Sequence, residues 1–206
     1  MSVADSTGRS SEPFLDPEMV LMAYCRGFFP MADPQTGTIE WYSPDPRAII
    51  PLEGFNVPRS VKRTLRRGLY DLRVDTAFEA VIRACAARHE TWISGEIVRV
   101  YGILHARGFA HSVEAWQRGE LAGGLYGVAI RGAFFGESMF SRKPDASKVA
   151  LVRLVDLMRR AGFMLLDTQF LNEHLKQFGA CEITRDQYLA LLASALRQEA
   201  RVLTAP

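Results

Sequence analysis

Residues Phe134 to Gln169 read FFGESMFSRKPDASKVALVRLVDLMRRAGFMLLDTQ, two apolar runs joined by a segment with helical periodicity. Polar side chains interrupt both runs: Glu137 lies within the first, and Asp167 and Gln169 end the second. Carboxylates are seldom fully buried without a partner, so such interruptions near strand ends indicate a pocket more than a packed core. We therefore expect the chemistry of the protein to take place at these three residues.

The rest of the chain predicts regularly alternating elements. A helix should follow Asp16 as N-cap and end at Gly27, and a proline-rich segment of short extended pieces should continue to residue 57. From residue 58 the predicted order is helix, strand, two helices, three strands, helix, strand and helix. We expect capping boxes to open two of these helices, at Thr76–Glu79 and at Thr184–Gln187.

This order matches the layout of the GNAT-type N-acyltransferase fold, an α/β fold with a mixed sheet and helices on both faces. We predict a small N-terminal domain at residues 1–57 and a GNAT-like catalytic domain at residues 58–206. In that layout Glu137 and the Asp167/Gln169 pair lie on neighbouring central strands, where such sheets separate and bind ligands.

The composition limits the class of protein. The chain has 206 residues, 48% hydrophobic and 23% charged, which is enough for a substantial core. Its first residues lack the features of a secretory signal, and no apolar run reaches the roughly 18 to 20 residues that cross a bilayer. We therefore expect a cytoplasmic protein with no membrane partner.

Cysteine and histidine spacing gives no indication of a disulfide framework or a metal site. The cysteines are expected to be small core residues and the histidines to be structural or surface imidazoles. These residues are Cys25, Cys85 and Cys181, and His89, His105, His111 and His174.

A basic stripe marks the predicted helix that begins at Pro58. Its five cations recur at helical spacing, whereas Val61 and Leu65 face the other way. The stripe is either an ordinary solvated surface or a contact surface for a phosphate backbone. The cations are Arg59, Lys62, Arg63, Arg66 and Arg67.

The loop before the helix at Ala146 bears on the identity of the acyl donor. GNAT enzymes that use acyl-coenzyme A hold its pyrophosphate on a glycine-rich turn at this place, where the backbone approaches the phosphates closely. Residues 141–148 read SRKPDASK and contain no glycine. A coenzyme A donor is therefore disfavoured.

Ordered motifs along nearly the whole chain give it a family resemblance. The chain resembles leucyl/phenylalanyl-tRNA–protein transferases. The motifs are RGFFP at 26–30, WYSPDPR at 41–47, TWIS at 91–94, HSVEAW at 111–116, GGLYGV at 123–128, GESMFSR at 136–142, LDTQFLNEH at 166–174 and GACEI at 179–183.

The resemblance implies transfer of Leu or Phe, and weakly Met, from aminoacyl-tRNA to the α-amino group of proteins that begin with Arg or Lys. It assigns tRNA contacts to the five cations of the basic stripe. We expect a monomer without cofactor or metal. The resemblance assigns the aminoacyl-adenosine pocket to Tyr24, Met31, Trp92, Tyr101, Leu125, Phe134, Leu154 and Met158. The reacting centre falls on Glu137, Asp167, Gln169 and Asn172.

Physical chemistry bears on the roles within that centre. Aminoacyl-tRNA is already an activated ester, so no nucleophilic side chain or metal is required. An amide is a very poor base, so we expect Gln169 to orient the acceptor amine. Asp167 would fix Gln169 or bind the cationic acceptor, and Glu137 would hold the acceptor or the tRNA end.

Two other functions remain open at this point. One is a GNAT-type N-acyltransferase that uses acyl-coenzyme A, which the SRKPDASK loop disfavours. The other is a tRNA-binding module without catalysis, which would be expected to have lost Glu137, Asp167 or Gln169.

Overall fold

The computed structural model describes residues 14–88, 91–199 and 203. His89 and the N-terminal residues considered as a possible signal lie outside these ranges. The first half of the chain contains α1 (Pro17–Cys25), β1 (Phe29–Ala32), β2 (Ile39–Tyr42), β3 (Arg47–Ile49), α2 (Arg59–Arg66), β4 (Asp71–Val74), α3 (Phe78–Ala86) and α4 (Gly95–Ala106). The second half contains β5 (Ala110–Gln117), β6 (Glu120–Ile130), β7 (Ala133–Ser141), α5 (Ala146–Ala161), β8 (Leu165–Gln169), α6 (Glu173–Lys176), β9 (Cys181–Ile183) and α7 (Arg185–Leu196).

Seven strands form a mixed sheet in the order β4-β5-β6-β7-β8-β3-β9, and β1 and β2 form a separate antiparallel pair. Within the large sheet only β7 and β8 pair in parallel. This arrangement confirms the predicted α/β class, its mixed sheet and the neighbouring positions of the strands that carry Glu137 and Asp167.

Helices cover both faces of the sheet, as predicted. Successive residues of a strand point to opposite faces, and on β6 Leu125 packs in the core with α5 whereas Tyr126 packs in the core with α3 and α4. The core on the α5 side of the sheet also holds Val61 of α2. The core on the α3 and α4 side also holds residues of α1 and α7.

The parallel pair β7–β8 is short and opens toward its carboxyl ends. Its register runs from Ala133 opposite Leu165 to Phe135 opposite Asp167. Beyond that point Gln169 of β8 pairs with Ala48 of β3. In β7 a bulge shifts the pairing with β6 after Gly136, and the next paired residue is Ser138. The two strands therefore separate just before Glu137.

The caps of the helices match the predictions except at α3. Thr184 and Gln187 form the predicted capping box at α7, and Asp16 caps α1. The capping box predicted at Thr76 is wrong, because α3 begins after Ala77 and has no side-chain cap of its own. The Thr76 hydroxyl instead donates to the buried carboxylate of Glu114 on β5, 2.7 Å away.

The N-terminal part of the chain is more tightly joined to the rest than its proline content predicts. Strand β3 precedes residue 57 but pairs with β8 and β9 inside the large sheet. The domain boundary between residues 57 and 58 stays a prediction. In this structure such a boundary would assign β3 to a different domain from β8 and β9, the strands with which it pairs.

Candidate active site

The carboxyl group of Glu137 lies at the point where β7 and β8 separate. The hydroxyl of Tyr24 donates to its Oε1 atom at 2.6 Å, and the hydroxyl of Tyr101 donates to Oε2 at 3.2 Å. The two tyrosine hydroxyls also contact each other, and because each has one hydrogen, the third contact of this cluster has its own donor only when Glu137 is protonated. Burial raises the pKa of Glu137 to about 7, although the Tyr24 hydrogen bond acts in the opposite direction. Glu137 therefore changes charge near neutral pH.

Both tyrosines are protonated donors. Burial, followed by the nearby charge of Glu137, raises the pKa of Tyr24 and of Tyr101 well above the usual value. The two side chains are fully buried and come from α1 and α4. The N-terminal helix thus supplies one wall of the Glu137 site.

Asp167 is held in a buried ion pair with Arg47. The Arg47 Nε and Nη2 atoms donate to the two carboxylate oxygens at 3.0 and 2.7 Å, and both side chains are at most 1% exposed. The Tyr188 hydroxyl donates to Oδ2 at 2.8 Å. The remaining Arg47 nitrogen, Nη1, donates to the carbonyl of Gly27 at 3.0 Å. This bidentate geometry leaves Asp167 well satisfied.

Gln169 connects the Asp167 cluster to Glu137. Its backbone N–H donates to Asp167 Oδ1 at 2.9 Å, and its φ of 57° lies in the left-handed region that non-glycine residues rarely adopt. Its side-chain Nε2 donates toward Glu137 Oε1 at 3.5 Å. Asp167 therefore holds the backbone of Gln169, and the Gln169 amide faces Glu137.

A cavity of about 670 Å³ opens beside these residues. Five of the predicted site residues line it: Trp92, Leu125, Glu137, Leu154 and Asn172. Most of its other lining is aliphatic or small, including Leu151 and Leu166 from α5 and β8. Such an apolar cavity with a few polar groups is typical of a small-ligand pocket.

The remaining predicted pocket residues do not line the cavity. Phe134 and Met158 are fully buried in the core behind Leu125 and Leu154. Tyr24 and Tyr101 lie behind Glu137 as its hydrogen-bond donors. Met31, on β1, packs against the core of the opposite face of the sheet from α5.

Asn172 has a structural contact besides its place in the lining. Its Oδ1 atom accepts from the backbone N–H of Leu175 at 2.9 Å and caps α6. The side-chain amide nitrogen of Asn172 remains available to bind a ligand.

Sequence reasoning missed two residues that hold the site, Arg47 and Tyr188. Arg47 begins the apolar run RAII, and a charge at the edge of such a run is a signal that could have identified it. Tyr188 lies on α7, where an aromatic residue at helical spacing predicts only core packing. The guanidinium of Arg47 stacks over the Tyr188 ring, with 4.5 Å between them.

The predicted basic stripe lies on α2. All five cations are exposed, Val61 is fully buried and Leu65 packs against the α5 core, as expected. Within the described ranges none of the five cations forms an ion pair. The Thr64 hydroxyl donates to Asp145 at 2.9 Å and so joins α2 to the N-terminus of α5.

These features define the class of the protein: a mixed α/β enzyme whose site is an apolar cavity at the opening of two parallel central strands. A model of the leucyl/phenylalanyl-tRNA protein transferase family matches residues 49–193, and a model of the N-terminal domain of that family matches residues 15–45. The chain therefore belongs to the leucyl/phenylalanyl-tRNA–protein transferase family, which confirms the predicted family and enzyme class.

Individual relatives agree with the family match. The leucyl/phenylalanyl-tRNA–protein transferase of Salinibacter ruber is 53% identical over 182 residues, which are 88% of this chain and 80% of the relative. That of Herpetosiphon aurantiacus is 55% identical over 184 residues, 89% of this chain and 95% of the relative. Among solved structures, L-PGS from Bacillus licheniformis matches with a TM-score of 0.41 and 15% identity over 77% of this chain and 55% of that one.

None of the helices described is both long enough and apolar enough to span a membrane.

Proposed function

We propose that the protein transfers Leu or Phe from aminoacyl-tRNA to the α-amino group of proteins that begin with Arg or Lys, which marks those proteins for degradation. Family membership supports the classes of donor and acceptor. The observation that carries the proposal is the position of Glu137 beside an apolar cavity at the open end of β7 and β8, with the Gln169 amide in contact with Glu137.

The cavity suits an apolar amino-acid side chain. Leu125, Leu151, Leu154 and Leu166 give it an aliphatic wall, and its charged lining residues are Arg88, Glu137 and Arg142. Hydrophobic fit separates side chains that differ by one methylene by only about 1 to 3 kcal/mol. Weak transfer of Met is therefore expected beside Leu and Phe.

The reaction is attack of the acceptor amine on the ester carbonyl. The new C–N bond forms, the ester C–O bond to the ribose breaks, the amine loses a proton and the ribose oxygen gains one. An α-amino group has a pKa of about 7.7 to 8.0, so most of it is protonated near pH 7. A proton acceptor near the amine would therefore increase the reactive fraction.

We assign that role to Glu137. Its pKa of about 7 lies near the working pH, where a general base is most effective, and it borders the cavity. The buried tyrosines Tyr24 and Tyr101 hold its two oxygens in place. Gln169, beside it, orients the amine through its side-chain amide, and this assignment agrees with the 3.5 Å contact between the two.

Asp167 acts through Gln169 in this proposal. Of its two expected roles, fixing Gln169 is the better supported, because both carboxylate oxygens already accept hydrogen bonds from Arg47. A carboxylate paired in this way has little capacity left for a cationic acceptor.

The α2 stripe supplies contacts with the phosphate backbone of the tRNA in this proposal. Five exposed cations on one short helix repel one another, and a polyanion relieves that repulsion.

The function is tested by incubating the protein with tRNA charged with radiolabelled Leu and a protein that begins with Arg. Label should pass to the acceptor and should fail to pass to the same acceptor beginning with Ala. Efficient use of an acyl-coenzyme A without any transfer from the tRNA would overturn the proposal in favour of the acyl-coenzyme A alternative.

A further inference from the structure

One part of the cavity wall is polar and carries groups without a partner. Ser147 is only 4% exposed, and its hydroxyl makes no hydrogen bond to any part of the chain that the structure describes. His174 also lines the cavity, and its Nε2 atom is buried without a hydrogen-bond partner among the described residues. Buried polar atoms are nearly always satisfied, so the unpartnered His174 Nε2 and the unbonded Ser147 hydroxyl, on two residues that line one cavity, indicate a polar ligand.

The same wall contains the N-terminus of α5. This helix has 16 residues and begins at Ala146, and its N-cap Asp145 provides no side-chain cap. A helix N-terminus carries partial positive charge, which favours an anion. In α5 the first two N–H groups, of Ala146 and Ser147, already donate to the carbonyl of Lys143 and the hydroxyl of Ser141, so the helix acts on an anion through its charge and its side chains. The unpartnered groups of Ser147 and His174 therefore lie where an anionic ligand would be stabilised.

Cations border this wall, and the carboxylate near it is already paired. Arg142 lines the cavity beside Ser147. Asp145 accepts from Thr64 of α2 at 2.9 Å and forms an ion pair with Lys148 at 3.1 Å. Through the hydrogen bond between Thr64 and Asp145 the wall adjoins α2, the helix that carries the basic stripe.

We infer that Ser147, His174, Arg142 and the N-terminus of α5 bind the phosphodiester group on the 5′ side of the terminal adenosine of the donor tRNA. This inference rests on the proposed function. The Ser147 hydroxyl and the His174 Nε2–H each donate to a phosphate oxygen, and Arg142 supplies the countercharge. Burial and the charge of Lys148 lower the pKa of His174, so at neutral pH it is a neutral donor.

Two acyl donors, one with and one without the phosphodiester, isolate the effect of the phosphate contact. Leucyl-tRNA carries the phosphodiester, whereas adenosine esterified with Leu on its ribose lacks it and still presents the reacting ester. Ser147→Ala and His174→Phe should each lower kcat/KM with leucyl-tRNA about tenfold more than with leucyl-adenosine. The reason is that each variant loses a hydrogen bond to the charged phosphate, which only leucyl-tRNA carries. His174→Gln, which retains an N–H donor, should restore most of the loss.

Each result bears on the site in a defined way. Arg160→Ala, which removes one exposed cation farther along α5, is the matched control and should affect both donors equally. Equal losses with both donors in Ser147→Ala and His174→Phe would overturn the phosphate site and leave the proposed function in place. A wild-type protein that uses neither donor would overturn the function together with the site. Activity with leucyl-adenosine shows that each variant is folded.

Discussion

At the scale of single residues, the chemistry of Glu137 depends on its surroundings. The same carboxyl would be ionised at neutral pH on the surface, whereas burial, together with the nearby charge of Asp167, raises its pKa to about 7. Two buried tyrosines keep it oriented toward the cavity. It is therefore suited to take up a proton during the reaction.

The pH dependence of transfer tests the proton-acceptor role of Glu137. A general base must be ionised, so wild-type kcat/KM should fall as the pH drops below about 7. Glu137→Gln should be slower by about 10² to 10⁴-fold and should lose this limb of the profile, while it keeps the limb due to the acceptor amine. Profiles of the same shape in both proteins would show that Glu137 is not the proton acceptor.

The ion pair between Asp167 and Arg47 should affect stability as well as transfer. Asp167→Asn leaves a buried guanidinium without its counter-charge, which should lower the free energy of unfolding by about 3 to 5 kcal/mol in urea titrations. Gln169→Ala removes a buried side chain that contacts Glu137 and should slow transfer strongly at unchanged tRNA affinity.

Tyr188→Phe is the matched control for the ion pair, since it removes one hydrogen bond to Asp167 and keeps the ring over Arg47. Its effect on stability should be smaller, about 1.5 to 3 kcal/mol. A stable Asp167→Asn protein with normal transfer would contradict both the structural role and the positioning role of Asp167.

At the scale of elements, α2 and the pair β7–β8 perform different tasks. α2 buries only its narrow apolar side, with Val61 fully enclosed, and exposes its cations. β7 and β8 are central strands that pair briefly and then separate, which makes space for the cavity. The proposed donor site thus has a charged outer part and an apolar inner part.

The salt dependence of tRNA binding tests the α2 stripe. Each phosphate contact contributes counterion release, so affinity should fall steeply with ionic strength, and Arg63→Ala with Arg67→Ala should reduce the slope of log K against log salt by about 2. Filter binding at several salt concentrations measures this slope.

Removal of two other exposed helical cations, Arg83→Ala with Arg160→Ala, controls for net charge, because each is paired with an acid on its own helix. An identical slope for the wild type and the α2 variant would show that the stripe is an ordinary solvated surface.

At the scale of the whole molecule, one buried core joins α1, near the start of the described chain, to α7, near its end. Residues of α1, α4 and α7 belong to the same buried cluster, and Arg47 and Tyr188 meet across it. We therefore expect one cooperative unfolding transition. The monomeric state and the cytoplasmic location stay predictions.

Ile97→Ala tests this shared core. Ile97 is fully buried on α4, so the change should lower the free energy of unfolding by about 2 to 5 kcal/mol and shift a single transition seen by both circular dichroism and tyrosine and tryptophan fluorescence. Met164→Ala, at a side chain that is 49% exposed, should change it by at most about 0.5 kcal/mol. Two separate transitions in the wild type would support an N-terminal unit that folds independently.

Local sequence was sufficient for most of the elements and for the choice of candidate site residues. Periodicity and glycine stops predicted most helices and the central strands, because the apolar faces repeat within each segment. Polar residues inside apolar runs identified Glu137, Asp167 and Gln169, since such positions are costly unless they are partnered. Ordered motifs identified the family.

Only the tertiary structure decided how those residues are partnered. The Arg47–Asp167 pair joins positions 120 residues apart, and the Tyr24–Glu137 bond joins positions 113 apart. No local pattern encodes such contacts, because they depend on which strand lies next to which in the sheet. For the same reason Thr76 bonds to Glu114 on a strand and does not cap α3, and Phe134 and Met158 lie in the core, not in the cavity lining. The sequence by itself determined which residues are unusual, and the fold determined what each of them contacts.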